Sequence, residues 1–186
     1  MRLPRYLPAL LFSLLPVLAT AAPTTKADAA SLKSAPAKAE PAAAKAEAAA
    51  KTADPRIGKQ LDALGYKYEV DKDGDYTLTF GLDEDRSQMA YVISHTERYG
   101  KLQVREVWSP GYRTSDKDFP AEVANRLLED SQLSKMGGWV KQDSVAVFVV
   151  KLDADASQED LDDAIDYVVR AADEMESQLT PGQDEF

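Results

Sequence analysis

Ile57-Gly-Lys-Gln-Leu-Asp-Ala-Leu-Gly-Tyr-Lys-Tyr-Glu-Val-Asp-Lys-Asp-Gly-Asp-Tyr-Thr-Leu-Thr-Phe80 carries two hydrophobic periods in succession. Ile57, Leu61 and Leu64 recur at helical spacing. Asp54-Pro55 ahead of them suits a cap and a first helical turn, and Gly65 suits a stop. From Tyr66 the period drops to two. Tyr66, Tyr68 and Val70 alternate with charged residues, and Tyr76, Leu78, Phe80 and Leu82 alternate with Thr77, Thr79 and Gly81. Helix and hairpin in one short stretch specify a mixed α and β domain. A three-residue loop, Lys72-Asp73-Gly74, sets Val70 opposite Tyr76 and keeps the two apolar faces together, whereas a two-residue loop would oppose them. Asp71, Asp73 and Asp75 have the look of a calcium loop, but glycine is fourth rather than sixth and the twelfth position is Leu82. The expectation is a turn.

Downstream, Met89, Tyr91 and Ile93 form one face of a strand that ends near His95. Leu102, Val104 and Trp108 form one face of its partner, and a loop of Glu97-Arg98-Tyr99-Gly100 sets Ile93 opposite Val104. Glu106 stands among those apolar positions, at an exposed edge or in a polar contact. Residues 109–119 read as a polar loop. Asp118 is a candidate cap for a helix over 119–132, with Ala124, Leu127 and Leu128 inward. Gly137-Gly138 breaks the chain before a short strand at 139–142. Val145-Ala-Val-Phe-Val-Val150 is apolar on both faces and reads as the most buried strand. A last helix spans 157–179, with Ser157 and Asp160 as a capping box and Leu161, Ile165, Val168, Ala172, Met175 and Leu179 as its inward stripe. The expected fold class is α+β, an antiparallel sheet of five to six strands packed with three helices over residues 54–180. An acidic tail, 181–186, follows.

Upstream, Met1-Arg-Leu-Pro-Arg5 is basic, residues 7–18 are mostly apolar, and Ala19-Thr20-Ala21 offers small residues at a cleavage site. Residues 1–21 therefore read as an export signal, too short and Pro-broken to span a bilayer well. Residues 22–53 are rich in Ala, Lys, Pro and Glu, lack aromatics, and read as a disordered linker. The expected location is periplasmic or secreted. With no cysteine in the chain there is no disulfide, thiolate site or lipid attachment, so no stable membrane anchor remains once the signal is cleaved. Seven basic and three acidic residues precede Asp54, which leaves 15 basic and 29 acidic from there on, a net of −14. That balance disfavours nucleic acid, whose affinity rests on clustered Lys and Arg.

Reaction chemistry is not legible. His95 is the only histidine and has no ligand-spaced partner, so it reads as a surface residue at a strand end. Nucleophile-elbow, phosphate-loop and dinucleotide motifs are missing. No catalytic residue, metal or cofactor is expected. The candidate interaction residues are aromatic: Trp108, Tyr112, Phe119 and Trp139, near strand ends and the loop before the second helix. The alternative for them is ordinary core.

Several stretches in order carry a family likeness: Leu61-Asp-Ala-Leu-Gly-Tyr66, Asp73-Gly-Asp-Tyr76, Val104-Arg-Glu-Val-Trp-Ser109, Gly138-Trp139 and Ala171-Ala-Asp-Glu-Met-Glu176. Over residues 55–180 the chain resembles YbjN-type domains. The resemblance implies a fold like that of type III secretion chaperones, protein–protein binding without catalysis, a chaperone-like role or regulation of sensory transduction, and a homodimer. Six expected strands rather than five, and an export signal, set this chain apart. The expectation is an exported, non-catalytic module that binds a protein or peptide segment. The alternatives are an envelope hydrolase using paired carboxylates, or a structural envelope protein.

Overall fold

The computed structural model describes residues 52–82 and 86–186. The expected export signal, and the linker as far as Lys51, lie outside the described residues. Among the described residues there are three helices: α1 (Pro55–Leu64), α2 (Ala121–Leu133) and α3 (Gln158–Leu179). Seven strands accompany them: β1 (Glu69–Val70), β2 (Tyr76–Gly81), β3 (Ser87–Val92), β4 (Glu97–Tyr99), β5 (Leu102–Arg113), β6 (Gly138–Gln142) and β7 (Val145–Asp153). They form one antiparallel sheet of order β1-β2-β3-β5-β7-β6, with β4 on the start of β5. The α+β expectation holds, with more strands than foreseen.

Local signals set the helix ends. The Asp54 side chain accepts from the Arg56 amide at 2.9 Å, Pro55 opens α1, and Gly65 closes it at φ 79°. Ser157 and Asp160 form the capping box of α3 in both directions. The α3 stripe of Leu161, Ile165, Val168, Ala172 and Met175 is buried as its periodicity requires. It meets Ile57 and Leu61 of α1 and a sheet face built by Tyr76, Leu78, Ala90, Val92, Val107, Phe148 and Val150. α2 docks on the same face, with Leu127 against Ala146 and Met175. Ala146 to Val150 are all buried, as read for the most interior strand. All three helices thus lie on one side of the sheet. No described helix is long and apolar enough to cross a membrane.

The first hairpin has the expected register, Val70 opposite Tyr76. Val70 itself is half exposed, because β1 is only two residues long and reaches past the core. The second hairpin departs. Tyr91 pairs with Trp108 and Val92 with Val107, and the Ile93 amide donates to the Glu106 carbonyl, so Ile93 does not face Val104. The cause is Ser94. Its amide donates to Asp75 Oδ1 at 2.7 Å and its hydroxyl to the Gly74 carbonyl at 2.6 Å, which pulls the chain aside. Pairing then resumes as β4, the unforeseen strand, with Glu97 opposite Val104.

Face assignment is also reversed in β3 and β5. Gln88, Ala90 and Val92, with Arg105, Val107 and Ser109, point to the helices, while Met89, Tyr91 and Trp108 take the opposite face. Ala90, Val92, Val107 and Ser109 are small enough for the close helix contact, Gln88 and Arg105 are held there by hydrogen bonds, and Met89, Tyr91 and Trp108 go to the side away from the described helices. β5 runs on to Arg113, so residues 109–113 belong to a strand rather than to the expected loop. Pro110 is accommodated at a register shift between Pro110 and Tyr112. α2 is preceded by Pro120 with no side-chain cap, so Asp118 does not cap it, and Leu128 faces outward at 66% exposure. The acidic tail is not free: Phe186 is buried, and residues 183–186 pack on the domain.

Candidate protein-interaction surfaces

Three of the four candidate aromatics come together. Tyr112 and Phe119 meet edge to face at 5.7 Å, and Trp139 packs edge to face on Phe148 at 5.2 Å. All three belong to the cluster under α2 with Leu127 and Met175. Trp139 is fixed at both ends: its amide donates to Ser131 Oγ and its indole N–H to Asp130 Oδ2, each at 2.8 Å. A Cβ on Gly111 would come within 2.6 Å of the Trp139 ring, so only glycine lets β5 pass there. Trp108 does not join them. It lies across the sheet, half buried, and donates to Glu106 Oε2 at 2.8 Å. Glu106 also pairs with Lys151 at 2.8 Å, which resolves its place among apolar neighbours as a polar contact.

Above the three aromatics a small groove opens between α2 and β6. It has a volume of about 210 Å³ and is lined by Phe119, Ala124, Leu127, Leu128, Trp139 and Val140, with Lys141 at its end. Lys141 Nζ stands 5.6 Å from the Phe119 ring centre, in cation–π range. Leu128 and Val140 on its rim are exposed, and Leu133 and Met136 are exposed further along the same segment. The sequence gives no sign of this ledge. Leu127 and Leu128 are adjacent in a helical pattern, and only docking decides which one turns in.

A second concavity, about 600 Å³, lies on the face away from the three described helices. Met89, Tyr91, Trp108, Pro110 and Val147 line it, and Asp71, Asp73 and Asp75 stand at its border. The Asp71 carboxylate caps its own turn, accepting from the amides of Asp73 at 2.8 Å and Asp75 at 3.0 Å, as a hairpin turn requires. Glu185 and Phe186 also line this cleft.

The interior charges serve the fold. Arg105 is 3% exposed and donates to Asp54 Oδ2 at 2.5 Å and to the Ile93 carbonyl at 2.7 Å. The Arg56 guanidinium, then Arg56 N–H and Arg105, hold the Asp54 carboxyl well below the usual range despite partial burial. Burial pushes Glu176 up, opposed by the Glu185 amide at 2.7 Å and by Arg86 at 3.0 Å. His95 is exposed and meets Glu97 at 3.0 Å, which fits the surface position read for it.

No protein-family model matches this chain, and no curated protein matches it.

Proposed function

We propose that this chain is an exported, non-catalytic protein-binding module, chaperone-like or regulatory, that holds a short apolar peptide segment in the α2–β6 groove. The observation that carries the proposal is the apolar groove itself, with Leu128 and Val140 exposed on its rim. Apolar surface grouped round a concavity marks a contact site more often than scattered single residues do. Its size favours a peptide over a second copy: about 210 Å³ takes one or two side chains, while a stable dimer needs about 800 Å² from each partner. The net −14 from Asp54 onward favours a segment with basic flanks and weakens self-association. The interior carboxylates Asp54 and Glu176 are bound by arginines and backbone amides, which supports structural rather than catalytic use.

The test is titration of the full chain with short apolar peptides carrying lysine or glutamate flanks. Lysine-flanked peptides should bind, and Leu128→Lys should weaken them at least tenfold while leaving the melting temperature unchanged. No binding by either class, or binding indifferent to Leu128→Lys, refutes the groove. A concentration-dependent dimer dissolved by Leu128→Lys would put a second copy there instead. Export rests on residues 1–21, and a mature envelope protein beginning at Ala22 by intact mass is the expected result.

A further inference from the structure

The sheet forks between β3 and β5. These strands pair only at Tyr91 with Trp108 and at Val92 with Val107, and beyond that point they separate. The Gln88 side chain fills the gap, donating to Ser109 Oγ at 3.0 Å and to the Pro110 carbonyl at 2.6 Å, while its own Oε1 meets no donor among the described residues. Residues 183–186 run along this fork. Arg86 donates to the Gln183 carbonyl at 2.9 Å, and the Ser87 amide and hydroxyl donate to the Asp184 carboxylate. The Glu185 amide donates to the buried Glu176 carboxylate, and its side chain pairs with Arg113. Arg113 also stands 5.4 Å from the Phe186 ring centre, and Phe186, 7% exposed, lines the cleft with Met89, Tyr91, Trp108 and Pro110.

This is how a peptide is held: a backbone amide captured, a carboxylate on an arginine, an aromatic in an apolar pocket. We infer that the cleft on the helix-free face is a recognition site for an acidic–aromatic peptide segment. In the resting chain its own Asp184-Glu185-Phe186 occupies it. The ligand class follows from the resident segment: a carboxylate for Arg113, followed by an aromatic ring for the pocket. The ion pair is nearly half exposed on both sides, and exposed pairs hold weakly. The covalent tether, rather than the strength of the contacts, keeps the segment in place, because a short tether supplies a high effective concentration. A ligand in trans therefore binds with an affinity reduced to the small fraction of time in which the 184–186 segment is displaced. This site lies across the sheet from the α2–β6 groove and stands or falls without it.

The experiment uses a fluorescein-labelled peptide of residues 178–186, Gln-Leu-Thr-Pro-Gly-Gln-Asp-Glu-Phe, and three proteins. They are the full chain, the chain ending at Gly182, and the full-length Phe186→Ala variant. The truncated and Phe186→Ala proteins should bind the peptide at least tenfold more tightly than the full chain. Arg113→Glu in the truncated background should abolish binding. A folded truncated chain that binds no better than the full chain overturns the proposal, as does binding indifferent to Arg113→Glu. If truncation unfolds the domain by circular dichroism, Phe186→Ala decides, since it keeps the contacts of Gln183, Asp184 and Glu185. Should that variant be unfolded too, the segment is a structural strap and the proposal fails. Peptide-free pairing of two full chains through exchanged 183–186 segments, seen as a dimer that truncation dissolves, also overturns it.

Discussion

At the scale of single residues, backbone geometry and one buried ion pair carry the sharpest expectations. Gly137 has φ 81°, and a Cβ there would lie 2.0 Å from the Val149 carbonyl oxygen. Gly137→Ala must shift backbone as well as adopt a strained conformation, so a loss of about 1–3 kcal/mol is expected in chemical denaturation. Arg105→Ala leaves Asp54 without its inner partner and strips donors from the Ile93 carbonyl, for a loss of about 3 kcal/mol. The pH dependence has a definite sign. The folded Asp54 carboxyl lies below its unfolded value, so the unfolded chain takes up the proton first as pH falls. Its stabilisation is present above about pH 4, the ordinary aspartate value, and disappears progressively below it. Asp54→Asn should flatten the acid limb of a stability-against-pH curve. Glu176 works the other way: its raised value means that its share declines as pH rises from its unfolded to its folded value.

At the scale of elements, much of the fold could be read and the faces could not. Caps and turns are local chemistry. The Asp54-Pro55 start, the Gly65 stop, the Ser157–Asp160 box and the Lys72–Gly74 loop stand where the residues place them. In β3 and β5 apolar residues occur at both parities, so alternation alone gives no preference. The faces are set by pairing across the sheet, Tyr76 opposite Val92 and Val92 opposite Val107, with Ser94 anchored on the first hairpin turn. The candidate site was half legible for the same reason. Aromatic residues name themselves, but Trp108 pairs with Val149 and Trp139 with Phe148, neighbours on β7 that point to opposite faces, and those long-range registers cannot be read from the residues. Trp139 joins α2 to the sheet through Asp130, Ser131 and Phe148. Trp139→Ala should cost about 3–5 kcal/mol and loosen α2, seen as faster amide exchange across that helix. Trp108→Ala, half buried and away from the helices, should cost less and leave α2 protected.

At the scale of the whole molecule, the two sides of the sheet have separate tasks. One side holds the core, packed against three helices. The other has none of the described helices over it and contains a cleft lined by the last described residues. The fork gives this arrangement a mechanical character. β1, β2 and β3 form one leaf and β5, β7 and β6 another, joined along the sheet by two residue pairs, the Ile93–Glu106 backbone bond and the side-chain bonds of Gln88 and Ser109. α3 contacts β3, β5 and β7 and so lies across the join as a splint. The expectation is that this body flexes about the join under the restraint of α3, each leaf keeping its own ladder while the angle between them changes. The Val92 and Val107 amides at the crease should exchange before those inside either leaf. A page-turning motion of this kind would open and narrow the cleft without unfolding a single strand.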